Sequence, residues 1–244
     1  ELAVPLPVTV IAELLGIPPE MGPQFKRWSD AATEPFRPDQ SDEEIAARNR
    51  EIVEFREYLV ERIEERRTNP TDDFIGRLVQ AHAEEEKLTD NELLAAVNLL
   101  LLAGNETTTN LISNAVLALA TFPERQRELR DNLELIDDAI EEFLRYDGSV
   151  HFTSRRAVQP AEFYGQAIEP DQNVMLVIAS ANRDAAVFER PNELDFHRGK
   201  VRHLGFGDWI HVCIGQYLAR VETRSALLTL LREFPKFELA IDPD

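Results

Sequence analysis

The chain is poor in cysteine, in basic residues and in long apolar runs, and each shortage removes a class of protein. One cysteine among 244 residues, Cys213, leaves no disulfide framework and suits a reducing cytoplasm, which is the expected compartment. Lysine and arginine number 26 against 45 acids, a formal net charge of −19, and the cations are interspersed with acids instead of gathered into a stripe. Nucleic acid is therefore not expected as a partner. The apolar run from Leu99 to Leu102 is cut by Gly104, Asn105 and Glu106, and none reaches spanning length, so no membrane segment is expected. No secretory signal is visible, and the first residues, from Glu1 to Pro7, read as the middle of a longer chain.

What is present is an ordinary soluble balance, 43% hydrophobic and 29% charged, enough for one substantial core. The pattern predicts mainly helices in the first half. Val8 to Leu15 reads as a helix stopped by Gly16 with Pro18 and Pro19 beyond. Ser41 to Glu44 opens a charged helix to about Arg67, with Ile45, Ile52, Phe55, Leu59 and Ile63 as its apolar stripe and the charges as a solvated face. Asp72 to about Glu85 is a further helix, and Thr89-Asp90-Asn91-Glu92 resembles a capping box that opens a long helix to about Ala120. Beyond Pro123 come two shorter helices, the second from about Leu135 to Tyr146. Phe163-Tyr164-Gly165 is a turn signal, and Asn173 to Ile178 reads as a buried strand. An irregular segment runs from Ala181 to Arg202, and Cys213 opens a last helix ending near Glu233. No repeat, low-complexity tract or interdomain linker interrupts the pattern, so residues 1–244 read as one domain.

The long helix is apolar nearly all round and is expected at the centre of the fold, yet its middle, Ala103 to Asn110, holds an acid, threonines and asparagines. Threonine hydroxyls can bond back to the carbonyl four residues earlier, and Gly104 leaves room for a close neighbour. A kink whose polar groups are satisfied by water is the plain reading. Cys213 lies in Phe206-Gly207-Asp208-Trp209-Ile210-His211-Val212-Cys213-Ile214-Gly215, where a following helix N-terminus favours a thiolate able to ligate a metal. Structural zinc needs four Cys or His ligands and iron–sulfur clusters need several cysteines, whereas haem needs one axial atom from the protein. A structural or reactive free thiol is the other reading.

Glu142 and Arg145, three apart on a helix face, can form an ion pair. Taken in order with the polar break, the 182–198 segment and the cysteine loop, they resemble the cytochrome P450 family, in particular its soluble bacterial and archaeal members. The resemblance implies a mainly α fold with small β-sheets, here truncated. It implies haem b as cofactor, with Cys213 as the iron ligand and Ala103, Gly104, Arg155, Phe206, His211, Cys213 and Gly215 as haem-binding residues. Arg155 and His211 would meet the propionates. Glu106 and Thr107 would deliver protons to iron-bound dioxygen, and Glu142, Arg145 and Arg198 would form a structural network. The implied activity inserts one oxygen atom from dioxygen into a small apolar organic substrate. Electrons would come from a ferredoxin-type donor and its reductase, since no GxGxxG or similar nucleotide motif is present.

Two features depart from the family pattern. Trp209 stands where the ligand loop usually has glycine, as a tolerated variant, a tuning residue or a defect. The early helices, several strands and the C-terminal hairpin beyond Asp244 are missing, so this segment is expected to be part of a longer polypeptide and, alone, to bind haem weakly. Rival readings are a non-catalytic haem-binding protein or inactive remnant, a peroxide-driven enzyme, and a helical scaffold without haem. The substrate would be set by the missing part and by the Phe25 to Phe36 region.

Overall fold

Pro5 stands in the first turn of α1 (Pro5–Leu14), where its missing N–H removes no helical hydrogen bond. Gly16 ends the segment with φ +65°, a conformation that favours glycine. In this computed structural model residues 2–34, 37–85, 89–199, 202–234 and 236–240 are described, the side chains of 33, 82–85 and 102 excepted. Glu1, Phe36 and Asp244 lie outside them. The chain forms two compact units, Glu1–Thr109 and Asn110–Asp244.

In the first unit a single 3-10 turn, Pro19–Met21, leads into α2 (Gly22–Thr33). This helix has no side-chain cap, which is why its N-terminus is hard to see in the sequence. Next come α3 (Asp42–Thr68), α4 (Phe74–Glu85) and the start of α5 (Asp90–Thr121). The α3 capping box is complete: Ser41 Oγ accepts the Glu44 amide at 3.3 Å, and the Glu44 carboxylate accepts the Ser41 amide at 2.7 Å. Thr89 and Glu92 repeat it at the start of α5, again at 3.3 and 2.7 Å. α4 begins two residues later than Asp72 because Asp73 caps it, accepting the Gly76 amide at 2.8 Å. The α3 stripe is buried at Phe55, Leu59 and Ile63, while Ile52 reaches solvent. Phe25 and Trp28 of α2 close over Phe55, with ring centroids 6.1 and 5.4 Å away. Each such fully buried side chain contributes about 1.5–3 kcal/mol.

The second unit holds the rest of α5, then α6 (Pro123–Asp131), α7 (Ile136–Asp147), strands β1 (Thr153–Arg156), β2 (Ala161–Phe163), β3 (Gln166–Ile168) and β4 (Asn173–Leu176), the single turn α8 (Ile178–Ala181) and α9 (Gln216–Glu233). Its core joins Leu111, Ala115 and Leu119 of α5 to Ile140 and Phe143 of α7, Phe196, and Leu227 and Leu231 of α9. β1 pairs antiparallel with β4, and β2 with β3. The β2–β3 hairpin turns through Tyr164 (φ +51°) and Gly165 (φ +75°), both left-handed as a two-residue hairpin loop requires.

Three expectations change. The Asn173–Ile178 strand is shorter and is not buried: Met175 is 63% and Leu176 42% exposed, because a two-stranded ribbon brings no second layer of its own. α5 is not buried all round; Leu99 and Leu117 face outward while Leu93, Val97 and Leu101 are inside. Cys213 does not open the last helix, which starts at Gln216 after a turn through Gly215.

Candidate functional site

Within α5 the polar stretch separates onto two faces. Asn105 and Thr108 are buried, and the Asn105 amide donates to Ser29 Oγ of α2, so a protein hydroxyl does the work expected of water. Ala103 and Glu106 are exposed and Thr107 half-buried, as positions three and four apart on a helix share a side. Thr107 Oγ1 donates to the Ala103 carbonyl at 2.6 Å, the back-bond the sequence predicts, yet α5 runs unbroken through it. The space left by Gly104 is taken by Ile11 of α1; a Cβ there would come within 2.9 Å of its Cδ1.

In the second unit Glu142, Arg145 and Arg198 meet. Arg145 Nε and Nη2 form a bidentate pair with Glu142 at 2.7 Å each, and Arg198 Nε reaches both Glu142 oxygens at 3.2 and 3.3 Å. Glu142 and Arg145 are buried. The remaining guanidinium protons serve the irregular segment. Arg145 donates to the carbonyls of Asn182, Pro191 and Glu193 at 3.0, 2.8 and 3.0 Å, and Arg198 to those of Glu189, Arg190 and Glu193. A chain without helix or strand must satisfy its buried backbone groups with side chains, and here two arginines do so.

The cysteine loop is anchored at its entrance. Leu204 N–H donates to Asn182 Oδ1 at 2.8 Å, and Gly205 N–H to His203 Nδ1 at 3.0 Å. Gly205 has no room for a side chain, since a Cβ would lie 2.9 Å from the Leu144 carbonyl. Gly207 (φ +70°) makes the bend, where a Cβ would meet the His211 carbonyl at 2.7 Å. Asp208 caps the short 3-10 turn Trp209–His211, accepting the Trp209 amide at 2.8 Å, and pairs with Arg202; those bonds hold its carboxyl below the usual range. Trp209 itself takes φ +54° with its side chain 84% exposed, a glycine-like backbone that costs about 1–2 kcal/mol in any other residue. Cys213 is half-buried; its N–H donates to the Phe206 carbonyl at 2.8 Å and closes the loop. His211 is exposed, and Arg155 on β1 donates to the Ser154 carbonyl at 2.8 Å.

A second cluster, not evident from the sequence, joins Glu141 of α7, His203 and Arg220 of α9. Arg220 Nε and Nη2 lie 2.6 and 3.0 Å from the Glu141 carboxylate, and His203 Nε2 lies 3.0 Å from it. Burial pushes the Glu141 carboxyl up, but the bonds from His203 and Arg220 outweigh it and bring it down to about 2. The visible signal is adjacency: Glu141 abuts Glu142, and His203 directly precedes the Leu204-Gly205-Phe206 loop.

The sequence profile of the cytochrome P450 family matches residues 39–242. The chain belongs to this family. It is 41% identical over its full length to cytochrome P450 CYP107DY1 of Priestia megaterium, and 39% identical over 99% of its length to cytochrome P450 monooxygenase PikC of Streptomyces venezuelae. It spans 59% and 57% of those proteins. The structure of PksS, a polyketide synthase cytochrome P450 of Bacillus subtilis, superposes with a TM-score of 0.90 over 99% of this chain and 61% of that one, at 39% identity. Both small sheets and the mainly helical content accord with the cytochrome P450 fold in truncated form.

Haem b is the cofactor of this family. The donor set here fits it. Cys213 offers one sulfur from a loop fixed by its own backbone bond, the requirement of a metal that brings its other ligands with it. Among the described residues no helix is long and apolar enough to cross a membrane.

Proposed function

We propose that this P450 chain contributes the thiolate-bearing part of a haem monooxygenase that inserts one atom of dioxygen into a small apolar organic substrate. The observation that carries the reading is the Phe206–Cys213 loop, closed by the 2.8 Å amide bond, within the stretch matched by the family. Cys213 would hold the haem iron through its sulfur, with Phe206, His211 and Gly215 in the loop around it. Arg155 and His211 would meet the propionates, and the resemblance assigns Ala103 of α5 to the cofactor, whereas the space beside Gly104 holds Ile11. Bound haem supplies the activation of dioxygen, which an anionic sulfur ligand promotes by donating electron density.

The chain's own residues control protons and access. The Thr107 hydroxyl, held by the Ala103 carbonyl, can accept a proton and pass one on by rotating, and exposed Glu106 beside it in sequence reloads it from solvent. Glu142, Arg145 and Arg198 hold the segment before the loop and take no part in proton transfer. Electrons come from a ferredoxin-type donor and its reductase in the cytoplasm, as the resemblance to soluble bacterial members implies.

Replacing Cys213 with serine tests the assignment. The red-shifted Soret band of a thiolate-bound ferrous carbonyl haem should disappear; an unchanged spectrum overturns it. One observation favours a second reading, haem binding without turnover: Trp209 holds the left-handed backbone of the ligand loop with an exposed indole. Product formed per electron consumed distinguishes the two, near one product per electron pair for the monooxygenase and near zero for the binding protein.

A further inference from the structure

Glu141 and Glu142 are sequence neighbours whose carboxylates serve different ends of the same region. Glu142 holds the irregular segment, whereas Glu141 ties α7 to both flanks of the cysteine loop. On the near side His203 Nδ1 accepts the Gly205 amide at 3.0 Å, which leaves Nε2 to carry the proton donated to Glu141 at 3.0 Å. On the far side Arg220 is gripped bidentately, and its guanidinium lies 4.5 Å above the Phe206 ring centroid. Phe206 is the residue whose carbonyl receives the Cys213 amide. The cation thus sits over the ring of the residue whose carbonyl anchors the Cys213 backbone, close enough to act electrostatically on a Cys213 thiolate.

We propose that Glu141 is a positioning residue for the Cys213 loop: it fixes the His203 tautomer, clamps Arg220 over Phe206, and cancels a cation that would otherwise draw electron density from the sulfur. The proposal rests on the haem-thiolate reading above. The pair is about one-third exposed, at 31% for Arg220 and 38% for Glu141, where an ion pair adds little to stability. Its effect therefore falls on the electronics of the ligand, as groups around a metal ligand generally act, and not on folding.

The test uses the haem-loaded protein with Glu141→Gln, Arg220→Gln and the double variant, reading the haem midpoint potential and the ferrous carbonyl spectrum. Glu141→Gln leaves the cation uncompensated and should favour the reduced state by about tenfold, about 59 mV for one electron. Arg220→Gln should shift the potential the other way, and the double variant should return close to the parent. A Glu141→Gln protein that holds haem at the parent potential overturns the proposal, as does a double variant displaced at least as far as Glu141→Gln. If Glu141→Gln fails to hold haem, Arg220→Gln decides: a lowered potential supports the proposal and an unchanged one overturns it. A parent protein without the thiolate carbonyl band overturns the haem-thiolate reading and this proposal with it, a result distinct from a normal parent band with unmoved variants.

Discussion

The two units solve the same problem, satisfying the backbone inside a core, by different means. In the first unit helices do nearly all of it, so the side chains between them need only cap and close. Ser41 and Thr89 cap α3 and α5, and Arg66 with Asp73 closes the α3–α4 turn at 3.1 and 2.8 Å. In the second unit the 182–199 segment has no long element, and buried guanidinium groups take over the work of a hydrogen-bond ladder. A cap can be lost at the cost of one bond. A buried arginine serving three carbonyls and a carboxylate cannot, because every partner is stranded together.

The largest test of this contrast is Glu142→Ala. It leaves Arg145 and Arg198 charged without their shared carboxylate, at a cost of about 3–5 kcal/mol, a large share of the stability of a domain. Chemical denaturation should show that loss, or the protein should be recovered aggregated; a change under 1 kcal/mol would mean the network is dispensable.

Glu222 of α9 gives a smaller and pH-dependent effect. It is 4% exposed with Oε2 unpartnered among the described residues, and burial pushes its carboxyl up to about 7. The folded value lies above the unfolded one of about 4.3. Its stabilisation by proton binding is therefore fully present below about pH 4 and lost as pH rises through about 7. Glu222→Gln, neutral throughout, should gain on the parent by about 3 kcal/mol between pH 4 and pH 8. Parallel stability curves across that range would show that the carboxyl does not titrate as its burial demands.

The smallest effect belongs to the first unit. Ser41→Ala removes one cap and should cost about 1 kcal/mol without altering the second unit. A loss as large as that of Glu142→Ala would erase the distinction between local caps and shared network.

The capped helices α3 and α5 were legible because their starts depend on neighbours in sequence, whereas the uncapped α2 was not, and α9 begins at Gln216 instead of Cys213. Ser41 with Glu44, Thr89 with Glu92, and Phe55, Leu59 and Ile63 lie within one or two turns of each other, so spacing alone announces them. The family was also legible, through the resemblance carried by the cysteine loop and the motifs before it. The sequence could not show which polar residues meet across many positions. Glu141 reaches His203 and Arg220, Asn105 reaches Ser29, and Arg145 reaches the carbonyls of 182–193 only because packing brings remote elements together. Nor could it show that Trp209 would take a left-handed backbone, or that the β1–β4 ribbon would lie open. Local hydrogen bonds and apolar periodicity are encoded residue by residue, so the sequence by itself determined the long capped helices α3 and α5 and the family. Pairing between distant polar groups depends on where the folded chain carries them, and that was decided by the tertiary structure alone.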